Sequence, residues 1–174
     1  MAYQRLLIFC EGPDDERFFN AVIKPHLSDV YDRIRTVSYA EKEAETISRY
    51  IHNAQQTGID LLFTCDRDEE LCITACLESI RTTFGEHLSP ESIFVVVTEI
   101  ESWYAAGMSR QRTEELLGRP LQRTDDLTKE QFNDLLPDDA SRIDFMQRLL
   151  HHFTVENARS KNHSFEYFCS AILD

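Results

Sequence analysis

Long apolar runs are missing from this sequence of 174 residues. The run from Leu6 to Cys10 is much shorter than the roughly 20 residues of a membrane span or the apolar part of a signal peptide, and it leads directly into acidic residues. Repeats and low-complexity segments are missing as well. We therefore expect one domain, or a domain with a small appendage, that does not cross a membrane and has a cytoplasmic address.

Paired cysteines at metal-binding spacing are also missing. The sequence has five cysteines and no CxxC pair. Cys72 and Cys76 are four residues apart on a predicted helix, with no histidine at ligand spacing beside them, which argues against a structural zinc site. We predict that the cysteines are reduced thiols of the core.

Basic residues are scarce. The sequence has 18 Lys and Arg against 31 Asp and Glu, a formal net charge of -13. This balance argues against a protein that coats nucleic acid with a basic surface. It does not exclude an acidic enzyme that reaches phosphates through a metal ion and a local basic patch.

Apolar strands that alternate with amphipathic helices dominate the first part of the chain. Strands are predicted at 4–10, 33–39, 59–65 and 93–98, and helices at 14–27, 41–56 and 69–84. Strands that are apolar on both faces indicate a parallel sheet covered on both sides. The predicted fold class is α/β, with a Rossmann-like core and a mainly parallel four-stranded sheet flanked by helices over residues 1–105. Residues 106–174 are predicted to form a helical extension packed on this core.

Acidic residues follow three of the predicted strands. In open α/β sheets, residues just after the carboxyl ends of the strands share one edge, where ligands bind. Oxygen ligands without histidine or cysteine suit Mg²⁺ or Mn²⁺, and the sequence therefore predicts a site for one or two such ions. Gly12 is expected to allow a sharp turn beneath it. The predicted metal ligands are Glu11, Asp15, Asp66, Asp68, Glu99 and Glu101.

Each of these acids also has a simpler interpretation when taken alone. An acid after a strand is commonly a solvated loop residue or the cap of the next helix, and Asp66 fits such a cap. Trp103, in the predicted helix that follows Glu101, is expected to be buried against the sheet edge rather than to stack on a nucleic-acid base, and Tyr104 is expected to be a core or interface residue.

The motifs resemble those of the Toprim domain, which topoisomerases, primases, recombination proteins and the overcoming-lysogenization-defect (OLD) nucleases share. The resemblance lies in the EGxxD stretch of Glu11 to Asp15 and the DxD stretch of Asp66 to Asp68, and it covers residues 4–105. It implies Mg²⁺-dependent phosphoryl transfer. Glu11 would act as a metal ligand or general acid/base, Asp66 and Asp68 would hold one ion, and Asp15 with Glu101 would hold a second.

The stretch TEIESWYAAG at 98–107 resembles small standalone Toprim-like proteins of bacteria, which are related to the OLD nucleases. By this resemblance Lys161, in the late ARSKNHSFEYF stretch, is the lysine that assists the transition state. The catalytic set implied is thus Glu11, Asp66, Asp68, Glu101 and Lys161. The same region is the basic-rich part of the chain, and Arg159, Lys161 and His163 are its predicted nucleic-acid contacts, although such a stripe is also typical of solvated surface.

The resemblance implies a metal-dependent nuclease that cleaves DNA or RNA, as the effector of a bacterial defence system. It leaves room for an ATPase partner protein and for a homo-oligomer, since the sequence has no P-loop of its own. Three alternatives stay open at this point. They are hydrolysis of small phosphorylated nucleotides, a catalytically silent interaction module, and a receiver-like domain in which Asp66 accepts a phosphoryl group.

Overall fold

The computed structural model describes residues 3–67 and 72–174. The chain divides into two compact units, residues 1–95 and 96–174. None of the helices in the described ranges combines the length and the hydropathy of a bilayer span.

The first unit is built on a twisted sheet whose strand order is β2-β1-β3-β4. Its central strand pairs in parallel with both neighbours, in register from Arg5 opposite Arg33 to Cys10 opposite Ser38 on one side and with Phe9 opposite Phe63 on the other. This confirms the predicted α/β class with a parallel sheet flanked by helices. The strands are β1 (Arg5–Cys10), β2 (Arg33–Ser38), β3 (Asp60–Asp66) and β4 (Ile93–Val96).

Helices connect the strands of the first unit. They are α1 (Pro13–Phe18), a π-helical turn (Phe19–Ile23), α2 (Lys24–Leu27), α3 (Ala44–Gln56), α4 (Ile73–Phe84) and a 3₁₀ turn (Pro90–Ser92). The π-helical turn has a local cause in Pro25, which lacks an N–H and whose ring would clash with the carbonyl four residues earlier in a regular α-helix. The Lys24 N–H bonds instead to the Phe19 carbonyl, five residues back, and this wider turn accommodates the proline.

An aromatic cluster fills the space between the sheet and α3 and α4. The rings of Phe9 and Phe63 stack at 5.5 Å, and Tyr39 lies 4.7 Å from Phe63 and 5.3 Å from Phe84. Tyr39 follows β2 directly, so this ring is the part of the cluster nearest to the carboxyl edge of the sheet.

The second unit is helical. Trp103 is fully buried and packs against Phe165 and Phe168, with ring centroids 5.0 and 5.4 Å away, which confirms its predicted burial. Tyr104 is also fully buried. The helices of this unit are α5 (Ile100–Ala106), α6 (Arg110–Leu117), α7 (Lys129–Asn133), α8 (Arg142–His151), α9 (Val155–Lys161) and α10 (His163–Ile172).

Buried polar side chains connect these helices. Asn162 lies between α9 and α10, and its amide donates to the hydroxyls of Ser102 and Thr124 at 3.3 and 3.2 Å. Its side-chain oxygen accepts from the Ser164 hydroxyl at 2.8 Å and from the Phe165 N–H at 3.0 Å. One buried amide therefore satisfies donors and acceptors from several segments of the unit.

Candidate metal centre

Glu11 and Asp15 lie at the carboxyl edge of β1. Glu11 follows the strand directly and is half-buried, whereas Asp15 sits in the first turn of α1 and is buried. The Asp15 Oδ2 accepts the Gly12 N–H at 3.2 Å, so this carboxylate also caps the start of α1. The backbone bends at Glu11 and Gly12, as expected, but Gly12 has a φ of -139°, an extended conformation that any residue adopts, so the bend does not depend on glycine.

Asp66 lies at the same edge of the sheet, as the last residue of β3. Because Phe9 and Phe63 are opposite each other, Glu11 and Asp66 both project a short distance beyond the last paired residues of two adjacent parallel strands. The Thr64 hydroxyl donates to the Phe9 carbonyl at 3.1 Å and ties the two strands together just before they end. Asp68, the second acid of the DxD stretch, lies outside the described residues.

The Tyr39 phenol lies near the three carboxylates of this edge. It is buried and donates to the Thr64 carbonyl at 3.1 Å. Burial raises the pKa of this phenol, and the carboxylates of Glu11, Asp15 and Asp66 raise it further. Carboxylates from three segments at the carboxyl edge of β1 and β3 therefore lie close enough to Tyr39 to act on the same side chain.

Tyr39 was not among the predicted site residues. It follows β2 in the same way that Glu11 follows β1, and its N–H bonds to the Cys10 carbonyl at 3.0 Å. The sequence analysis placed Tyr39 inside the predicted strand 33–39, whereas β2 ends at Ser38, and the residue was therefore not recognised as a strand exit.

The other acids that follow β1 have structural partners. Asp14 forms an ion pair with Arg17 at 2.5 Å. Glu16 accepts hydrogen bonds from the hydroxyls of Thr36 at 2.7 Å and Ser38 at 3.0 Å, across to β2.

The pKa of the Cys10 thiol reflects both its burial and the acidic side chains near this edge of the sheet. Burial raises the pKa of Cys10 to about 12, and the charges of Asp15 and Glu16 act in the same direction. Cys10, Cys65, Cys76 and Cys169 are free thiols of the core, as predicted. Cys72 is exposed, so the prediction of burial is wrong for this residue, which precedes the first turn of α4.

Glu99 and Glu101 belong to the second unit, at the start of α5. The Glu99 Oε2 accepts the Lys129 N–H at 2.5 Å. Glu101 is buried and forms an ion pair with Arg142, whose guanidinium also lies 5.8 Å from the centre of the Phe132 ring. Burial raises the pKa of Glu101, and the Arg142 charge opposes this without reversing it. The sequence analysis missed Arg142 as the partner, since 41 residues separate the pair.

The predicted basic contacts of the second unit differ in their surroundings. Lys161 is buried, its ammonium donates to the Met108 carbonyl, and burial lowers its pKa. Arg159 bonds to Glu166 at 2.5 Å and to Asp174 at 2.8 Å, so carboxylates of the protein already surround its charge.

His163, the third predicted contact, is exposed at the start of α10. Its ring lies 2.9 Å from the Arg123 guanidinium, and its backbone N–H donates to Asp125 at 2.7 Å. A nucleic-acid contact by these side chains therefore stays a prediction.

The donor chemistry at the edge of the first unit suits a hard cation, because the side chains are carboxylates. Within residues 3–67 and 72–174, however, no group of three or more Asp, Glu, His or Cys side chains is arranged as a metal site. Glu11, Asp15 and Asp66 are thus grouped around Tyr39 without forming a finished coordination shell, and the predicted set also includes Asp68.

Comparison with known proteins shows similarity in structure only. No family model matches the sequence, and no curated protein matches it. The C-terminal region of the Burkholderia pseudomallei OLD protein superimposes with a TM-score of 0.53 at 18% identity, over 98% of this chain and 100% of that chain. The C-terminal region of the Xanthomonas campestris pv. campestris OLD protein gives a TM-score of 0.46 at 17% identity, over 100% and 96% of the two chains. The first of these shows that the chain shares its fold with the C-terminal region of an OLD protein.

Proposed function

We propose that this protein is a Mg²⁺- or Mn²⁺-dependent nuclease that hydrolyses phosphodiester bonds of DNA or RNA. The observation that carries the proposal is the grouping of Glu11, Asp15 and Asp66 around Tyr39, at the carboxyl edge of two adjacent parallel strands. Ligands of open α/β sheets bind at this edge, and carboxylate oxygens are the preferred ligands of these ions.

In this proposal Glu11, Asp66 and Asp68 hold the first ion. A bound ion of this type stabilises negative charge on a phosphoryl group and lowers the pKa of a water molecule. Glu11 is half-buried and directly follows β1, which suits it to a ligand or to a general acid/base that accepts a proton from the attacking water. Asp15, Glu99 and Glu101 are further candidate metal ligands, and Lys161 is the proposed cation near the transition state.

Two independent observations support the nuclease class over other phosphoryl-transfer chemistry. The EGxxD and DxD motifs resemble those of the Toprim domain of OLD nucleases, and the fold resembles the C-terminal region of an OLD protein. The acidic composition fits this mode of action, because a metal ion contacts the phosphate and the protein surface need not be basic overall. An effector role in bacterial defence, with an ATPase partner or a second copy of the chain, belongs to the same proposal.

The test compares Glu11→Gln and Asp66→Asn with Asp14→Asn as the matched control. The control removes the same charge from the same stretch, at an acid that is paired with Arg17. We expect each site variant to weaken Mn²⁺ binding by about tenfold or more in calorimetry, and to abolish cleavage of plasmid DNA or of an RNA strand. We expect the control to stay within about twofold of wild type.

The outcomes separate the nuclease from its alternatives. Cleavage at the wild-type rate by both site variants would refute the proposal. Hydrolysis of nucleotides without cleavage of polymers would favour a small-nucleotide hydrolase, and a folded protein that ignores millimolar Mg²⁺ and Mn²⁺ would favour an interaction module.

A further inference from the structure

Three arginines line a pocket of about 150 Å³ at the amino end of the sheet, opposite the carboxylate edge of the first unit. Among the residues that the structure describes, no acidic side chain lines this pocket. Its lining residues are Arg5, Arg33, Arg35, Leu6, Leu7 and Ile59.

The sheet register explains why these arginines lie together. Arg5 of β1 is paired with Arg33 of β2, and Leu7 is paired with Arg35. Side chains of paired residues in adjacent parallel strands point to the same face, and residues two apart on one strand do so as well. The three guanidinium groups therefore share one face of the sheet, beside the aliphatic side chain of Leu7.

This arrangement is costly unless an anion is present. Adjacent strands are about 4.8 Å apart, and like charges directly opposite each other destabilise a sheet. Among the described residues, Arg5 is the one arginine of the three whose side chain has a protein partner: its guanidinium donates to the Thr57 carbonyl at 3.2 Å, just past the end of α3. Within residues 3–67 and 72–174, no carboxylate forms an ion pair with Arg33 or Arg35, and both are exposed.

The neighbouring acids of this end of the sheet have other contacts. Asp32 accepts the Gln4 N–H at 2.7 Å. Asp60 is hydrogen-bonded to Tyr31, whose pKa is raised to about 12 by burial and by this contact. The exposed guanidinium groups of Arg33 and Arg35, beside that of Arg5, are therefore open to an external anion, in a chain whose net charge is -13.

We propose that Arg5, Arg33 and Arg35 form a binding site for backbone phosphates of a nucleic acid. Guanidinium groups present paired donors that match phosphate oxygens, and exposed arginines of an edge strand are accessible to a long polyanion. On a protein this acidic, a local cluster of positive charge is where a polyanion is least repelled.

This site is separate from the carboxylate edge. At about 3.3 Å per residue, the strand from Arg5 to Cys10 is about 16 Å long. Phosphates along one strand of B-form DNA are about 3.4 Å apart along the axis, so about five base-pair steps would reach from the arginines to Glu11. The inference deepens the proposed nuclease by assigning a substrate contact, but the binding it describes requires no metal.

The test measures binding of a labelled DNA duplex of about 20 base pairs, and separately of a labelled RNA strand, by fluorescence anisotropy at low salt in EDTA. The variant is Arg33→Gln/Arg35→Gln, and Arg33→Lys/Arg35→Lys retains the charge. The matched control is Arg110→Gln/Arg112→Gln, which removes the same charge from α6, where both arginines pair with glutamates of the same helix.

We expect the first variant to weaken binding by about tenfold or more, and to lower the slope of log K against log salt by about two, because each phosphate contact contributes about 0.9. We expect the control to stay within about twofold, and the lysine variant to retain the wild-type slope. Circular dichroism checks the folding of each variant. If Arg33→Gln/Arg35→Gln does not fold, the single variant Arg35→Gln replaces it, and we then expect the slope of log K against log salt to be lower by about one.

Three results would overturn the inference. They are equal losses in the variant and the control, no binding by wild type at low salt, and displacement of the duplex by millimolar inorganic phosphate, which would indicate a site for free phosphate. Nucleic-acid binding by the Glu11→Gln variant, measured in EDTA, separates this inference from the proposed function, because binding at the arginines requires no metal. Arginine-dependent binding without cleavage in Mg²⁺ would refute the nuclease alone, whereas cleavage without arginine-dependent binding would refute this site alone.

Discussion

Replacing Arg142 by methionine tests the buried ion pair of the second unit. The side chain of Glu101 is 4% exposed and that of Arg142 is 24% exposed, so the carboxylate depends on this partner more than the guanidinium does. Methionine keeps much of the contact with the Phe132 ring while it removes the charge. Glu101 is then left with two states in the folded protein, an ionised carboxylate without its cation or a protonated carboxyl.

The free energy needed to protonate Glu101 sets the upper limit of the stability that Arg142→Met can lose through this carboxyl group. An unfolded glutamate has a pKa of about 4.3, so keeping Glu101 protonated at pH 7 costs about 1.36 kcal/mol for each of about 2.7 pH units, or about 3.7 kcal/mol. We expect Arg142→Met to lower the free energy of unfolding by about 3 kcal/mol at pH 7. Breaking a buried pair by removing one partner typically costs about 3–5 kcal/mol.

The pH dependence follows from the sign of the pKa shift. Burial already raises the pKa of Glu101 in the folded wild type, and loss of the arginine raises it further. A carboxyl whose folded pKa lies above its unfolded value loses stability as the pH rises above the unfolded value. The stability difference between wild type and Arg142→Met should therefore be small near pH 4 and widen towards pH 7.

Urea denaturation at several pH values measures this difference, and Glu101→Gln in the Arg142→Met background is the control. The double variant has no buried charge, so we expect it to recover to within about 1 kcal/mol of wild type at pH 7. An Arg142→Met cost that is equal at pH 4 and pH 7, or a double variant no more stable than the single one, would refute the reasoning.

Three further predictions follow from burial and packing. Iodoacetamide should modify Cys72 and leave the four buried thiols of the folded protein unmodified, as read by mass spectrometry; a second fast-reacting thiol would contradict this. Asn162→Ala should lower the free energy of unfolding by about 3 kcal/mol in urea, because its buried partners lose their hydrogen bonds; a loss below about 1 kcal/mol would contradict the network. Gly107→Ala should lower the free energy of unfolding by about 1–3 kcal/mol, since the added Cβ would lie 2.0 Å from the Phe153 ring. Gly12→Ala should be nearly neutral, since its added Cβ would have its nearest neighbour at 3.8 Å. Equal Tm values for the two variants would contradict both predictions.

The sheet could be predicted from the sequence because its strands are short apolar runs between amphipathic helices. Each strand was located to within about two residues, and the parallel pairing followed from apolar faces on both sides. The end of the fourth strand was placed too late, at Thr98 instead of Val96. Thr98 has a φ of 71°, which no periodicity of hydrophobic residues reveals, and its hydroxyl donates to the Asp125 carbonyl at 2.7 Å.

The partners of the candidate site residues could not be predicted, because they depend on contacts distant in sequence. The acids after β1 and β3 were recognised by their position at strand ends, a local property. The pairing of Glu101 with Arg142 and the contact of Lys161 with the Met108 carbonyl depend on how the helices of the second unit pack. Glu101 was a candidate because it follows a predicted strand, and Lys161 because of the resemblance to OLD nucleases; neither signal carries information about the partner of the buried charge.

Those partners bear on which carboxylates suit the proposed ions. The Asp15 oxygen that accepts the Gly12 N–H contacts a neutral donor, and such a hydrogen bond can orient a carboxylate that also binds a metal. Glu101 is different, since its partner Arg142 carries a positive charge that would repel a divalent cation at the same carboxylate. Ion binding at Glu101 would therefore require the guanidinium to move away. With Arg142 in place, the charges therefore make Glu101 a weaker metal ligand than Asp15.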